Sequence, residues 1–214
     1  ARMNGGYLTR PRWADHHRWG RIDITFEVFH GSEALEFLSR PSDWNWQREK
    51  KIPFKGRKRA SGIERIIWFC EKCGGFRTVV SGVNDAVCSK CKATLTVDEY
   101  GYINGREVPE LLTIQRELLA SYLNERGSLA VGKGEAVILN TLTGEKESLS
   151  GDVSMDSKAL SVGEKSFSLD NIRGFSTYLK RLNEFNYDRT VIRLKTGLSS
   201  YLLFCAHDFF THSQ

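Results

Sequence analysis

The stretch Cys70-Glu71-Lys72-Cys73-Gly74-Gly75 is followed further along the chain by Cys88-Ser89-Lys90-Cys91. These two Cys-x-x-Cys pairs are separated by the 14 residues 74–87. Two thiolates on one tight turn can point at the same metal ion, and two such turns joined by a hairpin complete a tetrahedral sulfur shell. The spacing therefore predicts a zinc ribbon in which one Zn²⁺ is bound by Cys70, Cys73, Cys88 and Cys91.

The residues around the cysteines favour the same hairpin. Gly74-Gly75 can take the positive φ angles that a metal-binding turn needs. Phe76–Val80 is predicted to be a strand and Thr94–Val97 a third strand, because both segments contain β-branched or aromatic residues. Ser81–Asp85, which follows the first of them, contains turn-forming residues and is predicted to be a turn.

Two other uses of paired cysteines compete with metal binding. Disulfides form mainly in oxidising compartments, and the sequence shows no secretory signal, since residues 1–6 contain no apolar segment. A redox-active pair would sit at a strand-to-helix junction, whereas both pairs here flank strands. A closed shell of four thiolates leaves no position for a reactive water, so the predicted Zn²⁺ is structural. In zinc-finger peptides such binding supplies about 10–16 kcal/mol of apparent folding free energy.

The composition is that of a folded protein, with 40% hydrophobic and 27% charged residues in a chain of 214. The longest unbroken apolar run, Tyr201–Ala206, has six residues, whereas a membrane-spanning helix needs about 20. The sequence therefore predicts a cytoplasmic protein, with peripheral association at the inner face of a membrane as its closest approach to lipid.

Positive charge is concentrated before the cysteines. Residues 1–69 carry 14 Lys or Arg and 8 Asp or Glu, whereas residues 92–214 carry 14 and 16. A dense basic patch consists of Lys50, Lys51, Lys55, Arg57, Lys58 and Arg59. Such a patch can attract nucleic acid, anionic lipid headgroups or a phosphorylated substrate, or it can be a solvated linker.

Periodicity predicts several elements outside the ribbon. Arg21–Val28 alternates polar and apolar residues and reads as a strand, and Ser32 is placed to cap a short helix. Asp43–Lys50 is expected to form a helical turn or two. Gly62–Phe69 reads as an apolar strand, and Pro109–Leu123 as a helix with Pro at its first position.

From Ser128 onward, short apolar segments recur between turn residues. Strands are expected at Ala136–Leu139, Thr190–Leu194 and Tyr201–Phe204. Turns are expected at Gly132-Lys133-Gly134, Thr143-Gly144, Ser150-Gly151-Asp152, Gly163-Glu164 and Lys195-Thr196-Gly197. This cadence is typical of an antiparallel sandwich or small barrel. The fold class predicted for the whole chain is α+β.

No catalytic constellation can be assigned from the residues. The five histidines are not accompanied by a serine in a nucleophile-elbow context. Cys205 and His207 are two apart on a predicted strand, which would place them on one face, and Cys205 reads as a buried small apolar residue. Gly132–Gly134 lacks the strand and helix that flank a phosphate-binding loop. The sequence therefore predicts a binding and structural module without catalytic residues.

Several motifs, read in order, resemble bacterial 1-acyl-glycerol-3-phosphate acyltransferases that carry a zinc-ribbon extension. The motifs before the cysteines are Gly6-Tyr7, Pro11-Arg12-Trp13, Arg18–Phe26 and Ala60-x-Gly62-Ile63-Glu64-Arg65. The motifs that follow the ribbon are Val108-Pro109-Glu110, Gln115-Arg116 and a β-rich tail, similar to PH or GRAM domains, that ends in Ser199-Ser200-Tyr201.

The resemblance implies four regions. Residues 1–59 would be the end of an α/β acyltransferase domain with a basic linker, and residues 60–104 the zinc ribbon. Residues 105–126 would form a connecting helix, and residues 127–214 a PH-like domain. The chain would be the C-terminal, non-catalytic part of a membrane-associated phospholipid-biosynthesis enzyme, with an upstream catalytic domain and an anionic membrane surface as its partners.

The sequence departs from that family at the catalytic motif. In that family the general base is a histidine that is followed five positions later by an aspartate. Five positions after His17 the sequence has Ile22, and Asp23 is one position too far. The family's Glu-Gly-Thr/Ser-Arg element is also absent. The resemblance implies that Arg12, Arg18 and Arg21 lie near the membrane surface or the acceptor phosphate, unless they belong to a solvated loop. The other candidate contacts to anionic lipid or phosphate are residues of the basic patch: Lys55, Arg57, Lys58 and Arg59.

A second hypothesis from another functional class is a zinc-ribbon protein that binds nucleic acid. The basic patch is interleaved with Trp44, Trp46 and Trp68, whose rings could stack on bases. Against it, residues 70–91 carry only three basic residues and two acids. A scaffold with no ligand besides zinc is the third alternative.

Overall fold

The computed structural model describes residues 2–4, 23–26, 28–30, 33–34, 43–53, 57–178, 182–196 and 200–212. The chain divides into two compact units, Ala1–Ile114 and Gln115–Gln214. The boundary lies within the helix α2, Val108–Arg126. The described part of the chain is mixed α+β, and all of its strand pairings are antiparallel.

The first unit opens with a two-stranded ribbon of β1 (Arg2–Asn4) and β2 (Asp23–Thr25), with Met3 opposite Ile24. The strand predicted over 21–28 is therefore confirmed at its centre. The helix predicted after Ser32 lies mostly outside the described residues. The predicted turns at 43–50 form the helix α1, Asp43–Lys50.

A three-stranded sheet carries the cysteine pairs. It consists of β3 (Val79–Ser81), β4 (Asp85–Cys88) and β5 (Thr94–Thr96), in the order β3-β4-β5. The strands alternate in burial, so that the apolar residues of one face enter the core. The predicted hairpin and third strand are confirmed, and the hairpin turn comprises residues 82–84.

The strand predicted over Gly62–Phe69 is wrong. Ile63–Arg65 is a 3₁₀ turn that follows Gly62 at φ 86°, and Phe69 makes only a single bridge to Phe76. Ile63 and Ile67 are both fully buried. Their spacing of four places them on one side of a helical turn, and a short apolar run fits strand and turn equally well.

The long helix α2 agrees with its prediction. Its buried residues recur at a spacing of three or four, which is the pattern of one helical face: Val108, Leu111, Gln115, Leu119 and Leu123. The helix ends at Gly127, whose φ is 69° and whose N–H donates to the carbonyl of Leu123 at 2.8 Å. A glycine in this left-handed conformation is a common helix terminator.

The second unit is built on a seven-stranded antiparallel sheet that curves as a half-barrel. Its order is β10-β11-β12-β6-β7-β8-β9. The strands are β6 (Ser128–Asn140), β7 (Lys146–Asp156), β8 (Ala159–Val162), β9 (Lys165–Ser168), β10 (Gly174–Tyr178), β11 (Leu182–Asn186) and β12 (Thr190–Thr196). A 3₁₀ turn at Leu169–Asn171 joins β9 to β10.

Some of the predicted turns are confirmed and others are wrong. Thr143-Gly144 and Gly163-Glu164 lie in the β6–β7 and β8–β9 turns. Gly132–Gly134 and Ser150–Asp152, in contrast, lie inside β6 and β7 and are paired with each other. Gly134 has no room for a side chain, since a Cβ there would lie 2.7 Å from Val153 Cγ2. Gly134 therefore serves close strand packing rather than chain reversal, whereas Gly132 lies at an irregularity in the strand register between Ala130 and Gly132.

The predicted strand Tyr201–Phe204 is also wrong, because Ser200–His212 forms the helix α3. Its buried side chains follow a helical rather than an alternating pattern: Leu202, Leu203, Cys205, Ala206 and Phe210. None of the helices within the described ranges is long and apolar enough to cross a membrane.

Candidate metal centre

Four cysteine sulfurs converge at one end of the three-stranded sheet. The Sγ atoms of Cys70, Cys73, Cys88 and Cys91 all lie within 4.8 Å of one another. Cys70 and Cys88 are buried, and Cys73 and Cys91 are half-buried. The sulfurs of Cys70 and Cys91 lie 3.5 Å apart, and those of Cys73 and Cys88 lie 3.8 Å apart. The four predicted ligands are therefore brought together, in a group that can hold a metal ion.

The first turn, which we call knuckle 1 (Cys70–Gly74), is closed by the backbone. The N–H groups of Cys73 and Gly74 both donate to the Cys70 carbonyl, at 3.3 and 2.8 Å. Gly74 has φ 63°, a left-handed conformation that suits glycine. Gly75 is required for a different reason, because a Cβ there would lie 2.8 Å from the Thr78 side chain and 3.3 Å from Cys73 Sγ.

Knuckle 2 (Cys88–Lys92) is also closed by a backbone hydrogen bond. The Lys92 N–H donates to the Cys88 carbonyl at 2.9 Å, and the Cys91 N–H approaches Cys88 Sγ at 3.5 Å. Lys92 has φ 60°, so it takes the left-handed conformation that Gly74 takes in knuckle 1. The Lys92 ammonium donates to the Ser89 carbonyl at 3.0 Å.

One residue connects the two knuckles. The Thr78 carbonyl accepts a hydrogen bond from the Ser89 N–H at 2.7 Å. The Thr78 hydroxyl lies 2.9 Å from the Gly75 carbonyl oxygen and 3.2 Å from Cys88 Sγ. Thr78 therefore contacts Gly75, directly after knuckle 1, and a predicted metal ligand of knuckle 2.

The two buried thiols differ in acidity. Burial raises the pKa of Cys70 to about 12, although the N–H groups of Cys73 and Lys72 act in the other direction. Burial also disfavours the Cys88 thiolate, but hydrogen bonds from the Cys91 N–H, the Thr78 hydroxyl and the Lys90 N–H together lower the pKa of Cys88 to about 6. Of the two buried sulfurs, Cys88 is therefore the better stabilised as a thiolate.

Basic residues lie close in sequence to the four cysteines. Four thiolates around a divalent ion carry a net charge of −2, and exposed cations of the two knuckles and of the chain between them can offset it: Lys72, Arg77, Lys90 and Lys92. Glu71, the acid of knuckle 1, is paired with Arg106, whose Nη2 lies 2.6 Å from Glu71 Oε2.

The outer edge of β5 is closed by Asn104. Asn104 donates its backbone N–H to the Thr96 carbonyl at 2.9 Å, and its side-chain oxygen accepts from the Thr96 N–H at 2.8 Å. Asn104 has φ 49°, a conformation that asparagine tolerates better than most residues. A capped edge is protected from pairing with another strand.

The basic residues predicted to contact anionic lipid or phosphate fall into three groups. Arg12, Arg18, Arg21 and Lys55 lie outside the described residues. Arg57 and Lys58 are exposed, as are Lys50 and Lys51. Arg59 instead turns toward the protein, where its Nε donates to the Val97 carbonyl at 3.0 Å.

Two details of the sequence interpretation are corrected by the structure. Trp68 is only 2% exposed, and its indole N–H donates to the Arg65 carbonyl at 3.0 Å, so its ring is unavailable for stacking on bases. Cys205 and His207 lie on the helix α3 rather than on a strand. Residues two apart on a helix are separated by about 200°, so the two side chains do not share a face.

The sequence interpretation missed Thr78 and the left-handed Lys92. Lys92 could have been found by aligning the two knuckles, since it occupies the position of Gly74 after the second cysteine. Thr78 gave no signal, because its role depends on how the hairpin folds back onto Cys88.

No family model matches the sequence, and no curated protein or solved structure matches it. What the protein does is therefore inferred from its own residues.

Proposed function

We propose that the chain is a zinc-stabilised, non-catalytic accessory region of a membrane-associated phospholipid-biosynthesis acyltransferase. Zn²⁺ is bound by the four cysteine thiolates and holds the first unit together. The second unit is a PH-like domain, and exposed basic residues approach an anionic membrane surface. The closed group of four sulfurs is the observation that carries the zinc-stabilised part of the proposal.

The donor set supports zinc as the metal. Four thiolates in a tetrahedral arrangement favour Zn²⁺ or iron–sulfur chemistry over Mg²⁺ or Ca²⁺, which prefer oxygen ligands. The cluster contains four sulfurs within 4.8 Å, two of them buried. With four protein ligands Zn²⁺ keeps no open coordination position, so its role is structural.

Strand order supports the PH-like part of the proposal. The seven strands of the second unit run 5-6-7-1-2-3-4 across the sheet, when they are counted from β6, and a C-terminal helix follows. An antiparallel sheet of seven strands with one terminal helix is the architecture of PH-like domains. The sequence resemblance to acyltransferases with a β-rich tail points the same way.

Exposed cations support the membrane part. Lys50, Lys51, Arg57 and Lys58 are all exposed. Each basic residue near an anionic bilayer contributes about 1 kcal/mol of attraction. The acyltransferase assignment itself rests on the sequence motifs described above and on no feature of the metal centre.

The zinc proposal is tested by metal analysis of the purified chain. We expect one Zn²⁺ per chain and, after exchange with Co²⁺, the intense sulfur-to-cobalt charge-transfer absorption of a tetrahedral thiolate site. The matched control is Cys205→Ser, which removes the remaining cysteine and should leave the stoichiometry unchanged. Absence of bound metal, or stoichiometry that depends on Cys205, contradicts the proposal.

The membrane proposal is tested by sedimentation with vesicles of phosphatidylcholine that contain phosphatidic acid, compared with phosphatidylcholine alone. We expect binding to the anionic vesicles that weakens as salt is raised. Replacing Lys50, Lys51, Arg57 and Lys58 by Ala should reduce it at least tenfold. A control variant with the same charge change replaces exposed cations of the second unit by Ala and should bind much better: Lys133, Lys146, Lys158 and Arg173.

Two outcomes would favour other functions. Steeply salt-dependent binding to single-stranded DNA without vesicle binding supports the nucleic-acid hypothesis. Robust acyl-CoA turnover by this chain alone contradicts an accessory, non-catalytic role.

A further inference from the structure

Thr78 is placed where a hydroxyl can act on the metal centre without being a ligand. Its Oγ1 lies 3.2 Å from Cys88 Sγ and 2.9 Å from the Gly75 carbonyl oxygen. The residue is held there by its own backbone, since its carbonyl accepts from the Ser89 N–H at 2.7 Å. It is held also by Gly75, whose missing side chain leaves room for the threonine.

The hydroxyl has one proton and two neighbours that compete for it. The Gly75 carbonyl oxygen and Cys88 Sγ both lie within hydrogen-bond distance of Thr78 Oγ1. When Cys88 is a metal-bound thiolate, it has no proton to donate. A hydroxyl that pointed at Gly75 would then turn an oxygen lone pair toward a charged sulfur, which is repulsive.

We propose that Thr78 is a positioning residue of the metal centre, whose hydroxyl donates to the Cys88 thiolate in the metal-bound state. This inference rests on the proposed zinc site. Groups that hydrogen-bond to metal ligands commonly change metal affinity by 10- to 100-fold when removed.

Cys70 and Cys88 have different hydrogen-bond donors. Cys70 has the backbone N–H groups of Cys73 and Lys72 as its donors. Cys88 has backbone donors as well, among them the Cys91 N–H at 3.5 Å, and has the Thr78 hydroxyl in addition. Charge-assisted hydrogen bonds are stronger than neutral ones. The effect of Thr78 should therefore be specific to the Cys88–metal bond.

The experiment compares Thr78→Val, Thr78→Ser and the control Thr94→Val. Valine keeps the branched shape of threonine and removes only the hydroxyl, whereas serine keeps the hydroxyl. Thr94 is an exposed residue of β5 in the same sheet. Zn²⁺ affinity is measured by competition with a chelator of known affinity, and the sulfur-to-cobalt charge-transfer band is recorded for each Co²⁺-loaded variant.

We expect Thr78→Val to weaken Zn²⁺ binding about 10- to 100-fold. Its charge-transfer band should move to lower energy, because a hydrogen bond stabilises the sulfur lone pairs from which the electron departs. Thr78→Ser should restore both properties, and Thr94→Val should match the parent chain within twofold. A loss of packing would weaken Zn²⁺ binding without moving the charge-transfer band. The band position therefore distinguishes the proposed hydrogen bond from a packing effect.

Two failures can be told apart. If the parent chain binds neither Zn²⁺ nor Co²⁺, the proposed function is wrong. If the parent chain binds them and Thr78→Val matches Thr94→Val in affinity and band position, the inference about Thr78 is overturned. Should Thr78→Val not fold in excess Zn²⁺, Thr78→Ala and Thr78→Ser give the same comparison, and equal affinities for these two overturn it as well.

Discussion

Gly74 and Lys92 occupy the same position in the two knuckles, and both have left-handed backbone conformations. Their φ angles are 63° and 60°, and each donates its N–H to the carbonyl of the first cysteine of its pair. Glycine takes this conformation freely, whereas a residue with a Cβ is strained there. Knuckle 2 therefore carries a conformational cost that knuckle 1 avoids.

Exchanging these residues should change stability in opposite directions. Lys92→Gly is expected to raise the free energy of unfolding of the metal-loaded first unit by about 0.5–1 kcal/mol. The substitution removes left-handed strain of about 1–2 kcal/mol, and the greater flexibility of glycine in the unfolded chain offsets part of this gain. Gly74→Ala should lower it by a similar or larger amount. No atom lies within 4 Å of the Cβ that it adds, so conformation alone is tested.

The measurement is denaturant unfolding at a fixed concentration of free Zn²⁺. Lys92→Ala is the control, because it removes the ammonium contact to the Ser89 carbonyl and keeps the Cβ. If Lys92→Ala and Lys92→Gly are equally stable, the left-handed conformation of Lys92 carries no measurable strain.

Removal of the metal should affect the two units unequally. The core of the first unit includes two of the cysteines and is small: Ala60, Ile63, Ile67, Cys70, Val79, Ala86, Cys88, Leu95, Val97, Ile103, Val108 and Leu111. With EDTA we expect amide hydrogen exchange in 60–104 to become fast, because metal binding supplies much of the folding free energy of such ribbons.

The sheet β6–β12 has its own buried residues and should keep its protection. Cys70→Ser is expected to mimic EDTA, and Cys205→Ser should not. Slow exchange throughout the ribbon after complete removal of metal would show that the apolar core alone folds it.

The group of four cysteines was predictable because its members come in two local pairs. Each Cys-x-x-Cys specifies its own turn, and a single hairpin brings the turns together. The apolar face of α2 was predictable for a similar reason, since its period persists over the 19 residues of the helix. Features that depend on tertiary contacts, such as the Thr78 hydroxyl beside Cys88, leave no pattern in the sequence.

The wrong predictions share a physical cause. Tyr201–Phe204 and Gly62–Phe69 are short apolar runs, and a run of four to eight residues does not distinguish a strand from a helical turn. A window over the whole of α3 would have shown Leu202, Ala206 and Phe210 at a spacing of four. Glycines within β6 and β7 were misread as turns because close packing and chain reversal both select glycine.

Asn183 lies in the core of the second unit and provides a separate test. It is fully buried on β11, opposite Leu194, and no hydrogen-bond partner for its amide nitrogen or oxygen is found within the described ranges. Burying such groups without partners is unfavourable. Leucine has the same branched shape at Cγ, so Asn183→Leu is expected to raise the free energy of unfolding by about 1–2 kcal/mol.

The control is Asn186→Leu, at a half-buried position of the same strand, which should change stability by less than about 0.5 kcal/mol. Thermal unfolding monitored in the second unit measures both variants. A loss of more than about 1 kcal/mol in Asn183→Leu would mean that the amide has a polar partner in solution, such as a bound water.

Tyr187 should make the second unit sensitive to alkali. Its hydroxyl oxygen is buried and finds no hydrogen-bond partner in the described part of the chain, and its ring packs near Phe167 at a centroid distance of 6.4 Å. Burial raises the pKa of Tyr187 above its ordinary value, because the charged phenolate is disfavoured away from water.

The sign of the effect follows from proton counting. In the unfolded chain Tyr187 ionises at about pH 10, whereas in the folded unit it keeps its proton to higher pH. Above a pH of about 10 the folded state therefore binds more protons than the unfolded state. The stability of the folded unit is fully present below that pH and is lost as the pH rises toward the pKa of Tyr187 in the folded state. Tyr187→Phe cannot ionise, so it should be at least as stable as the parent at pH 7 and should lose less stability between pH of about 10 and 12. Equal slopes of unfolding free energy against pH for the parent and Tyr187→Phe would mean that the hydroxyl reaches solvent.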